Sequence, residues 1–376
     1  MINNNNYSVC FISPYINAYI DPGSDEAIGG AERQQYILAK KMSNEGHDIS
    51  FITFSRGGPS EEWIGDFRIL QTLPVTNSPS RSPYTIYRLL KGVRKADSDI
   101  YYFRGNPQLA ILASFCCKLL NRHTVYCVAN DSNVNPEQLQ DHHPMFEKKL
   151  FRKLYVQAIR STDGVVAQTE AQKEALSQNY AIESTVIPNS YPVPPVDSLS
   201  PSDKRKYVTW IGSLDKTQKQ PEMFLRLARK IPEIPFLMIG STHDSDYYNE
   251  IATGASTISN LEFEGYVRPD RIDDYINKSR ILINTSQYEG FPNTYLEAWR
   301  FAVPVIALHH TLDGALEKHE MGIHARSFSE LVRHTRAVYF DFKKLNRLGL
   351  NGRQFVKDNC SLDRAYEQYN ELFAKL

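Results

Sequence analysis

The chain has 376 residues, and 43 basic side chains balance 43 acidic ones. At roughly 150 residues per domain the length calls for two or three domains, each able to bury a core unaided. Zero net charge excludes a nucleic-acid binder with a protein-wide positive field, and 41% hydrophobic with 23% charged residues excludes wholesale disorder.

Taken in chain order, the opening MINNNNYSVCFISPY lacks a charged region followed by a long apolar run, so no secretory signal is read there. Short β-branched or aromatic runs at 7–12, 48–54, 67–71, 99–103, 124–129 and 164–168 are predicted strands. Several are continuously apolar, as expected for strands buried on both faces of a parallel sheet. Helical stretches such as 31–45 and 145–160 alternate with them, which predicts a doubly wound α/β sheet. The longest apolar stretch, 109–120, contains Lys118 and is too short to span a bilayer. Five of the chain's 20 prolines fall in PNSYPVPPVDSLSP at 188–201. Proline breaks helices and cannot donate to a ladder, so this segment reads as a linker. The alternation then restarts, with strands at 207–211, 236–239, 261–264, 281–285 and 303–307 and helices from Pro221, Arg271 and Asn293. The chain ends in an amphipathic helix at 362–376. Cys10, Cys116, Cys117, Cys127 and Cys360 form no C-x-x-C pair, which fits a reducing compartment, and the sequons at Asn130, Asn277 and Asn359 are read as chance.

No G-x-G-x-x-G follows the first strand, and no Walker A sequence is present. Gly29-Gly30-Ala31-Glu32 instead opens the first long helix, where a glycine turn and free N–H groups suit a phosphate. A plain glycine turn into a helix fits equally well. The richer pattern is YEGFPNTYLEA, which follows the strand at 281–285. Gly290 and Pro292 make a turn and a helix starts near Asn293. Glu289 stands at the turn's mouth and Glu297 lies inside the helix. Carboxylates accept in pairs and suit vicinal hydroxyls, and the N–H groups of Phe291, Asn293 and Thr294 face outward from a first turn. By spacing alone, an acid favouring the helix dipole and a solvated glutamate remain open.

The order of motifs resembles a retaining glycosyltransferase of family 4, with the GT-B fold. The matching stretches are GGAE, VIPNS at 186–190, YVTWIGSLDKTQKQPEMF, LEFEGYV at 261–267, and EGFPNTYLEA followed by PVIAL. They span nearly the whole chain. The resemblance implies two Rossmann-like domains facing each other across a cleft: 1–190 on the acceptor side, a linker at 191–206, and 207–360 binding the nucleotide sugar. The helix at 361–376 would cross back to the N-terminal domain. Carried over, Glu289 contacts the transferred sugar, Glu297 the ribose, and Lys219 the diphosphate. Gly30 offers backbone to the phosphates, and the backbone near Val267 meets the base. Gly290, Phe291, Pro292, Asn293 and Thr294 line the donor. Two departures stand out. Ser213 occupies the place of a usual arginine, which leaves Lys219, or Lys216 in support, to pair the phosphates. Asn130 or Asp131 stands where many members carry a histidine near the transferred sugar.

The implied substrate is a UDP- or GDP-sugar, with no cofactor. Asp-Ser-Asp at 97–99 and 244–246 is read as turn and helix capping rather than metal binding. Segment 81–95 carries Arg81, Arg88, Lys91, Arg94 and Lys95 without an acid, and helix 145–160 sets Lys148, Lys149, Arg152, Lys153 and Arg160 against an apolar face of Phe146, Leu150, Phe151, Leu154, Tyr155 and Ala158. Basic amphipathic stretches suit an anionic membrane surface; a solvated face over a core helix is the alternative. The expectation is therefore a cytoplasmic enzyme, peripheral to the membrane, acting on a glycan or lipid-linked acceptor in polysaccharide or glycolipid assembly, with no nucleic-acid partner. A non-catalytic sugar-nucleotide binder and a GT-B epimerase are the competing classes.

Overall fold

The computed structural model describes residues 7–21, 29–55, 57, 59–74, 83–142 and 149–376. The Asn3–Asn6 run, Arg81, Phe146 and Lys148 lie outside these residues. The chain divides into two compact units, Met1–Asn189 with Leu362–Leu376, and Ser190–Ser361.

The first unit is built on β1 (Ser8–Ile12), β2 (Asp48–Phe54), β3 (Glu61–Ile64), β4 (Phe67–Leu73), β5 (Ile100–Arg104), β6 (His123–Cys127), β7 (Gly164–Ala167) and β8 (Thr185–Val186). They lie in the order β3-β4-β2-β1-β5-β6-β7-β8. All pairings are parallel except β3 with β4. The central strands β1 and β5 are buried along nearly their whole length because helices cover both faces. Side chains alternate between two cores, with Tyr101 and Phe103 of β5 on one side and Ile100 and Tyr102 on the other. Helices Pro83–Ala96, Pro107–Leu119 and Lys149–Arg160 fill the first core. Helices Gly30–Asn44 and Leu362–Phe373 fill the second. The terminal helix thus belongs to the first unit, where Tyr366 bonds His47 at 2.9 Å and Tyr369 bonds Tyr102 at 3.1 Å.

The helix ending at Arg160 is rotated from the sequence expectation. Leu150 and Leu154 are 64% and 42% exposed, and Tyr155 and Ile159 carry the burial. The Tyr155 hydroxyl explains the rotation: it meets the Tyr126 hydroxyl at 3.0 Å and donates to the Asn133 carbonyl at 3.0 Å, bonds a buried phenol needs.

The second unit is wholly parallel: β9 (Tyr207–Ile211), β10 (Phe236–Ile239), β11 (Leu261–Gly265), β12 (Ser279–Asn284), β13 (Val305–Ala307) and β14 (Gly322–His324), in the order β11-β10-β9-β12-β13-β14. One apolar core runs through Trp210, Phe224, Phe236 and Ile283.

Candidate active site

In an open parallel sheet, ligands bind outside the carboxyl ends of the strands where successive connections leave in opposite directions. In the second unit that point lies between β9 and β12, since β10 follows β9 on the far side. The loops leaving both strands are stitched together there. Trp210 Nε1 donates to Thr285 Oγ1 at 2.9 Å, and Thr285 Oγ1 donates to the Lys219 carbonyl at 2.5 Å. Gln287 N–H donates to the Gln218 carbonyl at 2.8 Å, and Gln218 Nε2 to the Tyr288 carbonyl at 3.1 Å. Asp215 shapes the first loop by accepting from the backbone N–H groups of Thr217 at 2.9 Å and Gln218 at 2.6 Å.

This framework sets Lys219 Nζ 2.5 Å from Glu289 Oε1, with side-chain exposures of 21% and 11%. Burial pushes the Glu289 carboxyl up, but the Lys219 charge, bonds from Lys219 and Ser286, and the field of His310 outweigh it, so its pKa lies below the ordinary value. The site therefore holds a carboxylate with its own counter-cation.

Glu297 lies in helix Asn293–Trp299 and is buried, accepting from the Tyr191 hydroxyl at 2.8 Å. Tyr191 is buried in turn, with the Arg300 guanidinium 4.9 Å from its ring centre. Arg300 donates to the Pro192 carbonyl at 3.2 Å and pairs with Asp273, while Arg353 donates to the carbonyls of Arg300 and Pro194. The proline-rich segment is thus strapped to the second unit at its start. Pro192, Pro194 and Pro195 cannot form helix, and the carbonyls of Pro192 and Pro194 serve as acceptors for these two arginines.

Residues 28–193 match Glycosyltransferase Family 4, and residues 205–339 match Glycosyl transferases group 1. The chain belongs to the family 4 glycosyltransferases and has their GT-B fold. An uncharacterized glycosyltransferase of Haemophilus influenzae is 22% identical over 289 residues, covering 75% of this chain and 77% of that one. Among solved structures, sucrose-phosphate synthase from Thermosynechococcus elongatus aligns with a TM-score of 0.77 at 16% identity, over 98% of both chains. Anabaena HepE in complex with UDP and glucose aligns with a TM-score of 0.75 at 17% identity, over 98% of this chain and all of that one.

Other expected residues of this glycosyltransferase fall as follows. Ser213 is exposed at the carboxyl end of β9, and Gly290 and the buried Phe291 lead into the helix whose N-cap is Pro292, with Asn293 and Thr294 in its first turn. Val267 follows the end of β11, where Gly265 takes φ +64° to turn the chain. Lys216 is exposed, with its ammonium 5.8 Å from the Tyr247 ring. Gly30 and Asp131 belong to the first unit. Gly30 opens its helix, and Gly29 before it takes extended backbone with the Glu32 carboxylate folded back against it. Asp131 is exposed and accepts from Gln172 Nε2 at 2.9 Å. Neither Asp-Ser-Asp pair gathers on a common point. Asp97 pairs with Arg122 and Asp99 accepts from Ser8, while Asp244 caps a helix by accepting from Asp246 and Tyr247. Among the described residues no group of three His, Cys, Asp or Glu is placed to hold a metal ion.

Four residues escaped sequence reasoning. Tyr191 lay inside the stretch read as linker, although an aromatic between prolines is itself a sign of anchoring. Ser286 and His310 carry no motif. Arg104, at the carboxyl end of β5, is buried with Nη2 2.5 Å from Asn189 Oδ1, and only its place on a central strand could have marked it.

Proposed function

We propose that this protein transfers a sugar from a nucleoside-diphosphate sugar to an acceptor hydroxyl with retention of configuration and without a metal. The observation that carries this reading is the half-buried Lys219–Glu289 pair at the β9/β12 switch point. HepE, a structural neighbour, binds UDP and glucose, which supports the donor class. Lys219 faces the diphosphate, Glu289 the sugar and Glu297 the ribose; the backbone at Val267 meets the base. Ser213 and the turn from Gly290 to Thr294 line the donor. Gly30 is assigned to the phosphates and Asp131 to the acceptor.

In the proposed reaction the bond from the anomeric carbon to the phosphate oxygen breaks first, toward an oxocarbenium-like transition state. The acceptor oxygen bonds to that carbon from the same face, and its proton passes to the departing phosphate oxygen. Glu289 orients the sugar and is not alkylated. Isolation of a glycosyl-Glu289 peptide would replace this with a double displacement. Thermal-shift measurements against UDP-, GDP- and ADP-sugars test the donor class. Incubation with donor alone separates transferase from epimerase, since only the epimerase yields a new sugar without an acceptor.

For the acceptor we infer a lipid-linked molecule at an anionic membrane. Helices Pro83–Ala96, Pro107–Leu119 and Lys149–Arg160 lie side by side on one face of the first sheet and carry four, one and four basic residues with no acid. Their outward side exposes Tyr84, Tyr87, Phe115, Leu119, Leu150 and Leu154. Apolar residues set among unopposed cations suit a headgroup boundary, and among the described residues no helix is long and apolar enough to cross a membrane. Flotation with anionic vesicles at low salt tests this. An unbound protein would remove the membrane from the reading.

A further inference from the structure

Tyr191 directly follows the VIPNS stretch and belongs to the second unit, where it is fixed at its backbone, its ring and its hydroxyl. Its N–H donates to the Cys360 carbonyl at 3.1 Å, and it bridges Ser361 in parallel sense. The Arg300 guanidinium lies 4.9 Å from its ring centre. Arg300 is held in turn by its pair with Asp273 and by Arg353, which donates to the Arg300 carbonyl. The Tyr191 hydroxyl donates to Glu297 Oε1 at 2.8 Å. Both partners are almost wholly buried, with exposures of 1% and 3%. The two glutamates of the YEGFPNTYLEA stretch are therefore met differently: Glu289 by an ammonium and Glu297 by a phenol.

We propose that Tyr191 is a positioning residue for the donor nucleotide: its hydroxyl sets the plane in which the Glu297 carboxylate accepts from the two hydroxyls of the ribose. The inference rests on the assignment of Glu297 to the ribose. The last torsion of a glutamate side chain is broad, so a free carboxylate samples many planes. A donor on Oε1 that is itself immobile selects one of them. A phenol does this as a neutral group and adds no positive charge of its own to the carboxylate. One carboxylate meets two neighbouring hydroxyls only when its plane faces both, and setting that plane in advance adds affinity without a new contact to the ligand.

The test is calorimetry with whichever of UDP and GDP the wild type binds, set against its 2′,3′-dideoxy analogue. The wild type is expected to bind the ribonucleotide at least about tenfold more tightly than the analogue, the size of a hydrogen bond to a charged group. Tyr191→Phe is expected to lose most of that ratio, with the affinity for the analogue unchanged. A Phe variant that keeps the wild-type ratio, or that loses both ligands equally, overturns the positioning role, because a merely structural tyrosine would affect both alike. The same change is also made on Glu297→Gln, where no buried carboxylate is left short of a donor and folding is less at risk. There it is expected to alter neither affinity, and a further loss of the ribonucleotide alone would overturn the proposal. A wild type that binds both ligands equally overturns the ribose assignment of Glu297, and one that binds neither overturns the donor reading; this inference falls with either.

Discussion

The two units share an architecture of parallel strands with helices on both faces, yet they spend their polar residues differently. The second unit concentrates them at one place, with Glu289, Lys219, Glu297 and Tyr191 buried or nearly so around the β9/β12 switch point. The first unit keeps its carboxyl-edge loops in self-satisfied hydrogen bonds, such as Asn133 Oδ1 with Ala129 N–H at 3.1 Å, and displays its charge outward on one helix layer. Identical layer physics therefore yields a charged pocket in one half and a basic, apolar surface in the other. The fold sets where chemistry can sit, and the loops and outer helix faces set what it is.

The largest effect should come from Glu289→Ala, which is expected to lower kcat by at least about a hundredfold while far-UV circular dichroism stays that of a folded protein. Unchanged turnover would move the chemistry away from the second unit. Lys219→Met leaves the Glu289 carboxylate buried without its cation and should cost roughly 3 kcal/mol at neutral pH. Because the pair holds the Glu289 pKa below its ordinary 4.5, its stabilisation is fully present above that value and is lost as pH falls through the depressed native value. Melting curves of wild type and Lys219→Met should accordingly converge in acid. A gap independent of pH would show that the lysine acts by packing alone. Tyr191→Phe removes a donor from the buried Glu297 and should cost about 1–3 kcal/mol, read by urea titration. The smallest effect belongs to the other half. Phe115→Ser with Leu119→Ser should leave the melting temperature nearly unchanged, since both side chains are exposed, and reduce flotation with anionic vesicles. Equal flotation of wild type and variant would return that surface to solvent.

Most strands of both sheets were legible because a strand buried on both faces writes itself as a continuous apolar run. β3, β8 and β14 were not. β3 reads EEWI, an edge strand whose two glutamates hide it, and the others are two and three residues long. In the site, Glu289 and Glu297 were found from one contiguous motif. The pairing of Glu289 with Lys219 could not be, because it joins residues 70 positions apart through loop bonds that leave no local pattern. The same holds for the Leu150 and Leu154 exposure, which depends on a tyrosine hydroxyl finding Asn133.

The terminal helix Leu362–Phe373 has a consequence for how the molecule is made. A ribosome delivers the first unit's strands early, but the partners of His47 and Tyr102 are Tyr366 and Tyr369. Until those residues leave the exit tunnel, the core around Val9, Phe11 and Cys127 has helix Gly30–Asn44 over it but lacks its second helix. The second unit, Ser190–Ser361, is one uninterrupted stretch of chain. The half synthesised first is thus the half completed last. A stop codon that removes only the final helix should leave the second unit folded while the first one seeks a chaperone.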